Sequence, residues 1–287
     1  MELQKKRLLS TLVIFIILLA VFFIPFSQVT SGATNATFSV FLILGNNNPT
    51  ITWIQSGISE TPNIGTNKTI WISFNATDPD GFQNLNNNSA KIYLNLTGEQ
   101  SRYNTSCIAV RTNSVNTTQF NCSITIWYYD RSANWTINAS IYDISSSFAN
   151  DTGTTMTIGE LTAVALDRPE IGFPSVNLGQ VNAPANFPIE IDNLGNTNIS
   201  TVNLTAYDLN KTSEIIDANR FKANFTHNAT LHPLINKTNV WLQNASVPRD
   251  LPSFAQNESL SIYVDVPAAG LTAGTFRSMY NWTIDVS

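Results

Sequence analysis

The sequence predicts an all-β chain: two β-sandwiches in tandem, after an N-terminal apolar helix that acts as signal peptide or signal anchor. Three observations predict it. Apolar and polar residues alternate at period two in short runs along the whole chain, which puts one face of each run inward. Clusters of Gly, Pro, Asn and Asp separate the runs. Past residue 30 helix formers are sparse, and no amphipathic helix longer than two or three turns is legible.

The first element is the targeting segment, residues 1–33. Lys5-Lys6-Arg7 precede an uncharged apolar run from Leu8 to Ile24; Pro25 ends it, and Ser31, Gly32 and Ala33 offer small residues for cleavage. The run is long for a signal and short for a bilayer span, so a cleaved signal and a retained membrane anchor both fit. Either way the remainder is extracellular, at the cell surface, with the basic end inside.

The first sandwich spans 34–157. Its expected strands are Thr37–Leu44, Thr50–Gln55, Thr69–Thr77, Ala90–Thr97, Cys107–Arg111, Phe120–Tyr129 and Asn134–Tyr142. Turns fall at Gly45 to Pro49, Asp78-Pro79-Asp80-Gly81 and Asp130 to Ala133. A boundary is expected near 153–160. The second sandwich, 158–287, has expected strands at Leu161–Leu166, Asn186–Asp192, Thr201–Asp208, Asn239–Asn244, Ser259–Val266 and Asn281–Val286. The stretch Ile215 to Lys237 shows no placeable strand and reads as an insertion loop.

Charged residues are only 12% of the chain, while 35 Asn, 26 Ser and 32 Thr keep the surface wet. The net charge is −5, and without the basic N-terminal segment no positive stripe remains to neutralise phosphates, which excludes nucleic acid as a partner. The Asn/Thr richness is organised. Acceptors of the form N-x-S/T stand at Asn35, Asn67, Asn75, Asn87, Asn95, Asn104, Asn116, Asn121, Asn134, Asn138, Asn150, Asn198, Asn203, Asn210, Asn224, Asn228, Asn236, Asn244, Asn257 and Asn281. These 20 sites exceed what this composition produces at random, and all follow the apolar segment, so they are expected to carry N-glycans. Asn75 and Asn95 should face outward from alternating runs. Leu161–Gly195 and Pro248–Gln256 carry no acceptor and form a bare surface.

Cys107 and Cys122 are the only cysteines. Outside the cytoplasm they are expected to bridge two adjacent antiparallel strands. Free thiols or a metal pair are the alternatives, but two Cys alone cannot complete a tetrahedral zinc site. Asp78 and Asp80, with Asn84 or Asn86, offer oxygens around Gly81. Two readings fit them: a calcium site, which needs six or more oxygens, or an Asp-stabilised tight turn. No other cofactor is implied. His227 and His232 read as solvated loop residues. No nucleophile elbow, zincin motif or phosphate loop is present, so no enzymatic activity is expected. Trp71, Trp127 and Trp135 are expected in the core; Trp53, Trp241 and Trp282 complete the set, which could otherwise form a carbohydrate platform.

The run Ile70-Trp71-Ile72-Ser73-Phe74-Asn75-Ala76-Thr77-Asp78-Pro79-Asp80-Gly81 resembles the strand and turn of Ig-like or cadherin-like modules in prokaryotic surface proteins. Ile189 to Thr197, with its Asn193-Leu194-Gly195-Asn196 turn, is similar to adhesion-type Ig-like modules of archaeal envelope proteins. With the acceptor density, the chain resembles an archaeal S-layer-associated glycoprotein. That resemblance implies Ig-like sandwiches and a structural or adhesive role. Three versions follow: an envelope component contacting other envelope proteins or itself, an adhesin binding a partner cell through the bare surface, and a filament subunit donating the strand Thr37–Leu44 to its neighbour.

Overall fold

The computed structural model describes residues 38–287, apart from 105, 106, 113 and 253 and the side chain of Thr112. The targeting segment and Asn35 lie outside these residues. The described chain is nearly all β, with three short 3-10 turns at 82–84, 87–89 and 218–220. No helix among the described residues is long and apolar enough to cross a membrane. Asn46–Ser287 forms one compact unit with two separate buried clusters.

The first cluster lies between two sheets built from β1 (Thr50–Ile54), β2 (Ser59–Glu60), β3 (Asn67–Thr77), β4 (Lys91–Asn95), β5 (Arg102–Asn104), β6 (Ile108–Thr112), β7 (Thr117–Trp127), β8 (Ala133–Tyr142) and β9 (Phe148–Ile158). One sheet runs β1-β3-β7-β6, the other β2-β9-β8-β4-β5. Period-two patterning dictates the faces. In β3, Ile70, Ile72, Phe74 and Ala76 point inward; in β7, Phe120, Cys122, Ile124 and Ile126 do so; in β8, Trp135, Ile137, Ala139 and Ile141. Phe74 and Phe120, directly opposed across β3 and β7, stack with centroids 5.1 Å apart. Burying each such side chain contributes about 1.5–3 kcal/mol.

The second cluster is enclosed by β10 (Val164–Leu166), β11 (Ala183–Pro184), β12 (Ile189–Asn193), β13 (Val202–Thr205), β14 (Leu209–Lys211), β15 (Glu214–Ile216), β16 (Phe221–Phe225), β17 (His232–Pro233), β18 (Asn239–Leu242), β19 (Asn257–Val264), β20 (Arg277–Ser278) and β21 (Thr283–Val286). The main sheet is ordered β10-β12-β19-β16-β17, with β11 also on β19. Two smaller sheets are β18-β13-β21 and β15-β14-β20. Phe221, Phe225, Leu260, Ile262, Val202, Leu204 and Leu242 fill the cluster from both main sheet and the β13 sheet.

Four expectations need correction. Residues 38–44 form no strand, and Phe38, Val40, Phe41, Leu42, Ile43 and Leu44 are all more than three-quarters exposed. The first half has a strand that was not expected, β9, which ends at Ile158, inside the window 153–160 given for the boundary. Its inner positions are widely spaced, with Ala149, Met156 and Ile158 flanking a polar tract, and it bulges between Asp151 and Thr154, which oppose Ala139 and Ile137 of β8. The stretch 215–237 is no free loop: it holds the end of β15, all of β16 and β17, and Leu234 in the core. Trp71 faces solvent at 51% exposure, because Ile70 and Ile72 on either side of it take the inward positions.

Candidate functional site

The disulfide is present. Cys107 precedes β6, Cys122 lies on β7, and their Cα atoms are 4.3 Å apart. Antiparallel pairing of Ile108 with Asn121 brings the two cysteines opposite one another.

The acceptor asparagines spread over every face of the unit. Asn67, Asn87, Asn134, Asn150, Asn198, Asn244, Asn257 and Asn281 are exposed, and the other described acceptors except Asn224 are half-buried, Asn75 and Asn95 among them. Asn224 is buried at 9% exposure, and its Nδ2 donates to the Asn228 carbonyl.

Asp78 and Asp80 meet Asp143 at one end of the first sandwich, with Asn46, Asn47 and Asn84 between them. Asp78 Oδ1 accepts from Asp80 N at 2.8 Å and Oδ2 from Asn84 Nδ2 at 3.0 Å. Asn47 donates its backbone N and Nδ2 to Asp80, each at 2.7 Å. Asp143 accepts from Ser147 N and Asn46 Nδ2, also at 2.7 Å. Those Asn47 bonds hold Asp80 below the usual carboxylate range. Burial opposes ionisation of Asp143, yet the Asn46 and Ser147 donors outweigh it and lower its pKa. Every carboxylate oxygen in this cluster accepts from an N–H donor. Among the described residues no group of three His, Cys, Asp or Glu could hold a metal. The cluster instead staples the chain entering β1 to two turns.

His227 lies in an exposed turn, as expected, whereas His232 does not. His232, on β17, is 8% exposed. His227 bonds through Nδ1 to Glu258 and through Nε2 to the Asn244 carbonyl, both at 2.8 Å. Two acceptors favour the imidazolium, so its pKa is raised, by Glu258 first and Asn244 second. Asn244 O occupies the position at which a hydroxyl nucleophile would meet Nε2.

A polar clasp, missed in the sequence, joins the two clusters. Asn196, 3% exposed, accepts from Leu161 N at 2.7 Å and donates Nδ2 to Asp130 O at 3.0 Å and Gly159 O at 2.9 Å. Gly195 lets the backbones close: a Cβ there would lie 2.1 Å from Leu161 O. Beside it Arg102 grips Asp130 with Nε and Nη2, and Arg249 donates to Tyr129 O at 2.8 Å and pairs with Glu99. The Tyr128 hydroxyl donates to Asp250, and burial, with Asp250 beside it, pushes the phenol pKa up. Thus part of the acceptor-free surface, Leu194, Arg249 and Asp250, faces the other half of the unit. Leu178, Val181, Leu251 and Phe254 stay exposed, as does Phe187, which has the Arg168 guanidinium 5.2 Å over its ring and lies beside a shallow cleft lined by Pro184–Pro188 and Ser261–Tyr263.

No protein-family model matches the chain, and comparison with curated proteins finds no relative. Among solved structures it is similar to the secreted serine protease VesC from Vibrio cholerae, at 9% identity and TM-score 0.21, over 83% of this chain and 50% of that one. The chain therefore spans about half the length of the structure it matches. VesC is an enzyme, in contrast to the expectation above of no enzymatic activity, and that expectation is carried no further. At this TM-score the likeness assigns this chain neither a fold nor an activity.

Proposed function

We propose that the chain is a glycoprotein of the outer cell envelope, a structural or adhesive surface component of the archaeal S-layer-associated kind, built on Ig-like sandwiches. One observation carries this reading: of the described acceptor asparagines, all but Asn224 reach solvent. An occupied acceptor must reach water, and these do; the number of acceptors, 20, is more than this composition produces at random. The disulfide suits an oxidising exterior. Sugars spread over the sheets leave contact with envelope partners, or with a second copy, to the bare surface around Phe187, and they blunt exposed strand edges. Glycopeptide mapping and surface labelling of protein from its native cells test it. Occupied acceptors on surface-labelled protein are expected; unmodified protein in the cytosol with reduced thiols overturns it.

A second reading, a filament subunit that donates a strand, is favoured by the exposed apolar run Phe38 to Leu44. Deleting residues 38–44 should abolish fibres seen by electron microscopy. Fibres that persist without the run dispose of this reading.

A further inference from the structure

Five tryptophans lie on strands. Trp135 faces inward, fully buried, opposite Met156. The other four face out: Trp53 at 43% exposure, Trp71 at 51%, Trp241 at 54%, and half-buried Trp127, which stacks on Tyr129. Bare indoles are costly on a chain so poor in charge, since each is a large flat apolar surface left in water. The strand register shows what stands next to them. Trp53 pairs with Asn75, Trp127 with Asn67 and Trp241 with Asn203, and all three partners are glycan acceptors. Trp71 pairs with Ser123, the hydroxyl residue of the Asn121 acceptor, whose Asn lies two residues along the same strand and face. A further acceptor, Asn138, opposes Tyr93. Three of the four outward tryptophans on strands thus directly oppose an acceptor asparagine.

We propose that the N-glycans on Asn67, Asn75 and Asn203 lie across the outward indoles of Trp127, Trp53 and Trp241, so that the protein's own sugars cap its exposed tryptophans. This rests on the glycoprotein reading above. Directly opposed residues on neighbouring strands have Cβ atoms about 4.5–5.5 Å apart. Both side chains stand roughly perpendicular to the sheet. A sugar joined to Nδ2 of the asparagine therefore starts beside the indole. One face of a pyranose ring is lined by C–H bonds, and laid on the indole it removes apolar surface of both from water. Because the sugar is tethered, the contact bears none of the association entropy of a free ligand. At Trp71 the diagonal spacing, about 7–8 Å, requires the glycan on Asn121 to reach further.

The test uses full-length protein carrying its native glycans, with Asn67→Gln, Asn75→Gln, Asn203→Gln, and Asn257→Gln as control; Asn257 opposes Asp192. Glycopeptide mapping reports occupancy; acrylamide quenching and the emission maximum report indole exposure. Each of the first three variants is expected to raise quenching and shift emission to the red, with Asn257→Gln unchanged. In the Trp53→Phe background Asn75→Gln should lose its effect, which separates capping from a general loosening of the fold. Occupied sites whose removal leaves quenching unchanged overturn the proposal, as do empty Asn67, Asn75 and Asn203 with sugars present elsewhere; neither result touches the glycoprotein reading. Sugars on no site at all would bring down both. Indoles that stay open in the glycosylated protein and bind added free oligosaccharide would be a carbohydrate platform, and self-capping would be wrong.

Discussion

Asn196→Ala should uncouple the two buried clusters. The substitution removes three side-chain hydrogen bonds, from Leu161 N and to Asp130 O and Gly159 O, all between 2.7 and 3.0 Å. At a net value of about 1 kcal/mol each, the loss is about 3 kcal/mol. For a unit of this size that corresponds to a fall in Tm of roughly 6–12 °C. Calorimetry reads it directly, and the single transition should broaden or split as the halves unfold separately. Asn196→Asp sharpens the argument. The carboxylate still accepts from Leu161 N but aims its other oxygen at two carbonyls in a site with 3% exposure. Its pKa must rise, so its penalty is largest at neutral pH and shrinks as pH falls and the acid protonates. An Asn196→Ala protein that loses less than about 0.5 kcal/mol, below the worth of one hydrogen bond, would refute the clasp.

Breaking the Cys107–Cys122 bridge with paired Cys→Ser substitutions should cost about 3 kcal/mol for a loop of this length, read as a lower urea midpoint; an unchanged midpoint would show that the bridge constrains nothing. Arg102→Met leaves Asp130, 1% exposed, without its cation, at a cost of about 3–5 kcal/mol. Adding Asp130→Asn to it should recover part of that loss, and a fully additive second loss would show that the pair is not coupled. The raised His227 pKa means the imidazolium adds stability that is fully present below about pH 6.5 and is lost as pH rises through the folded value. His227→Phe should flatten the stability profile between about pH 6 and 8, and a slope that survives the change assigns it elsewhere.

Period two was legible wherever the inward side chains are large and contiguous. Strands β3, β7 and β8 follow from Ile72, Phe74, Ile124, Ile126 and Ile137 alone. Strand β9 was not, because its pairing is sustained by the neighbouring β8 backbone while its own tract Asp151 to Thr155 is polar and bulged. Alternation also assigns a residue to a face only if the register is known. Trp71 looks like core by its type and is surface by its neighbours, since Ile70 and Ile72 settle the phase. The apolar run at 38–44 shows the reverse: its composition suits a strand, and among the described residues it pairs with none. The clasp left no pattern at all. Asn193 to Asn196 reads as a turn, and only the fold brings Asp130 and Gly159 to it. The same holds for the acceptor–tryptophan pairs, whose partners lie 22, 38 and 60 residues apart in sequence.

The clasp also changes what an acceptor-free stretch means. A sugar needs water around it, so a segment can be bare because a partner binds there or because the other half of the same unit already does. Leu194, Arg249 and Asp250 are bare for the second reason, being hydrogen-bonded across the junction. Phe187 and the cleft beside it have no such cover, and the envelope reading proposed above assigns partner contact to them. Placing a sugar there tests the difference. Pro188→Thr turns exposed Asn186 into an acceptor, because the new hydroxyl then stands two residues after the asparagine, and it leaves the clasp untouched. Pro188→Ala removes the proline without adding a sugar. Retention of added protein on isolated envelopes should survive Pro188→Ala and fail in Pro188→Thr once mapping shows Asn186 occupied. Equal retention of both, with the new sugar in place, would mean that the bare surface around Phe187 contacts nothing on the envelope.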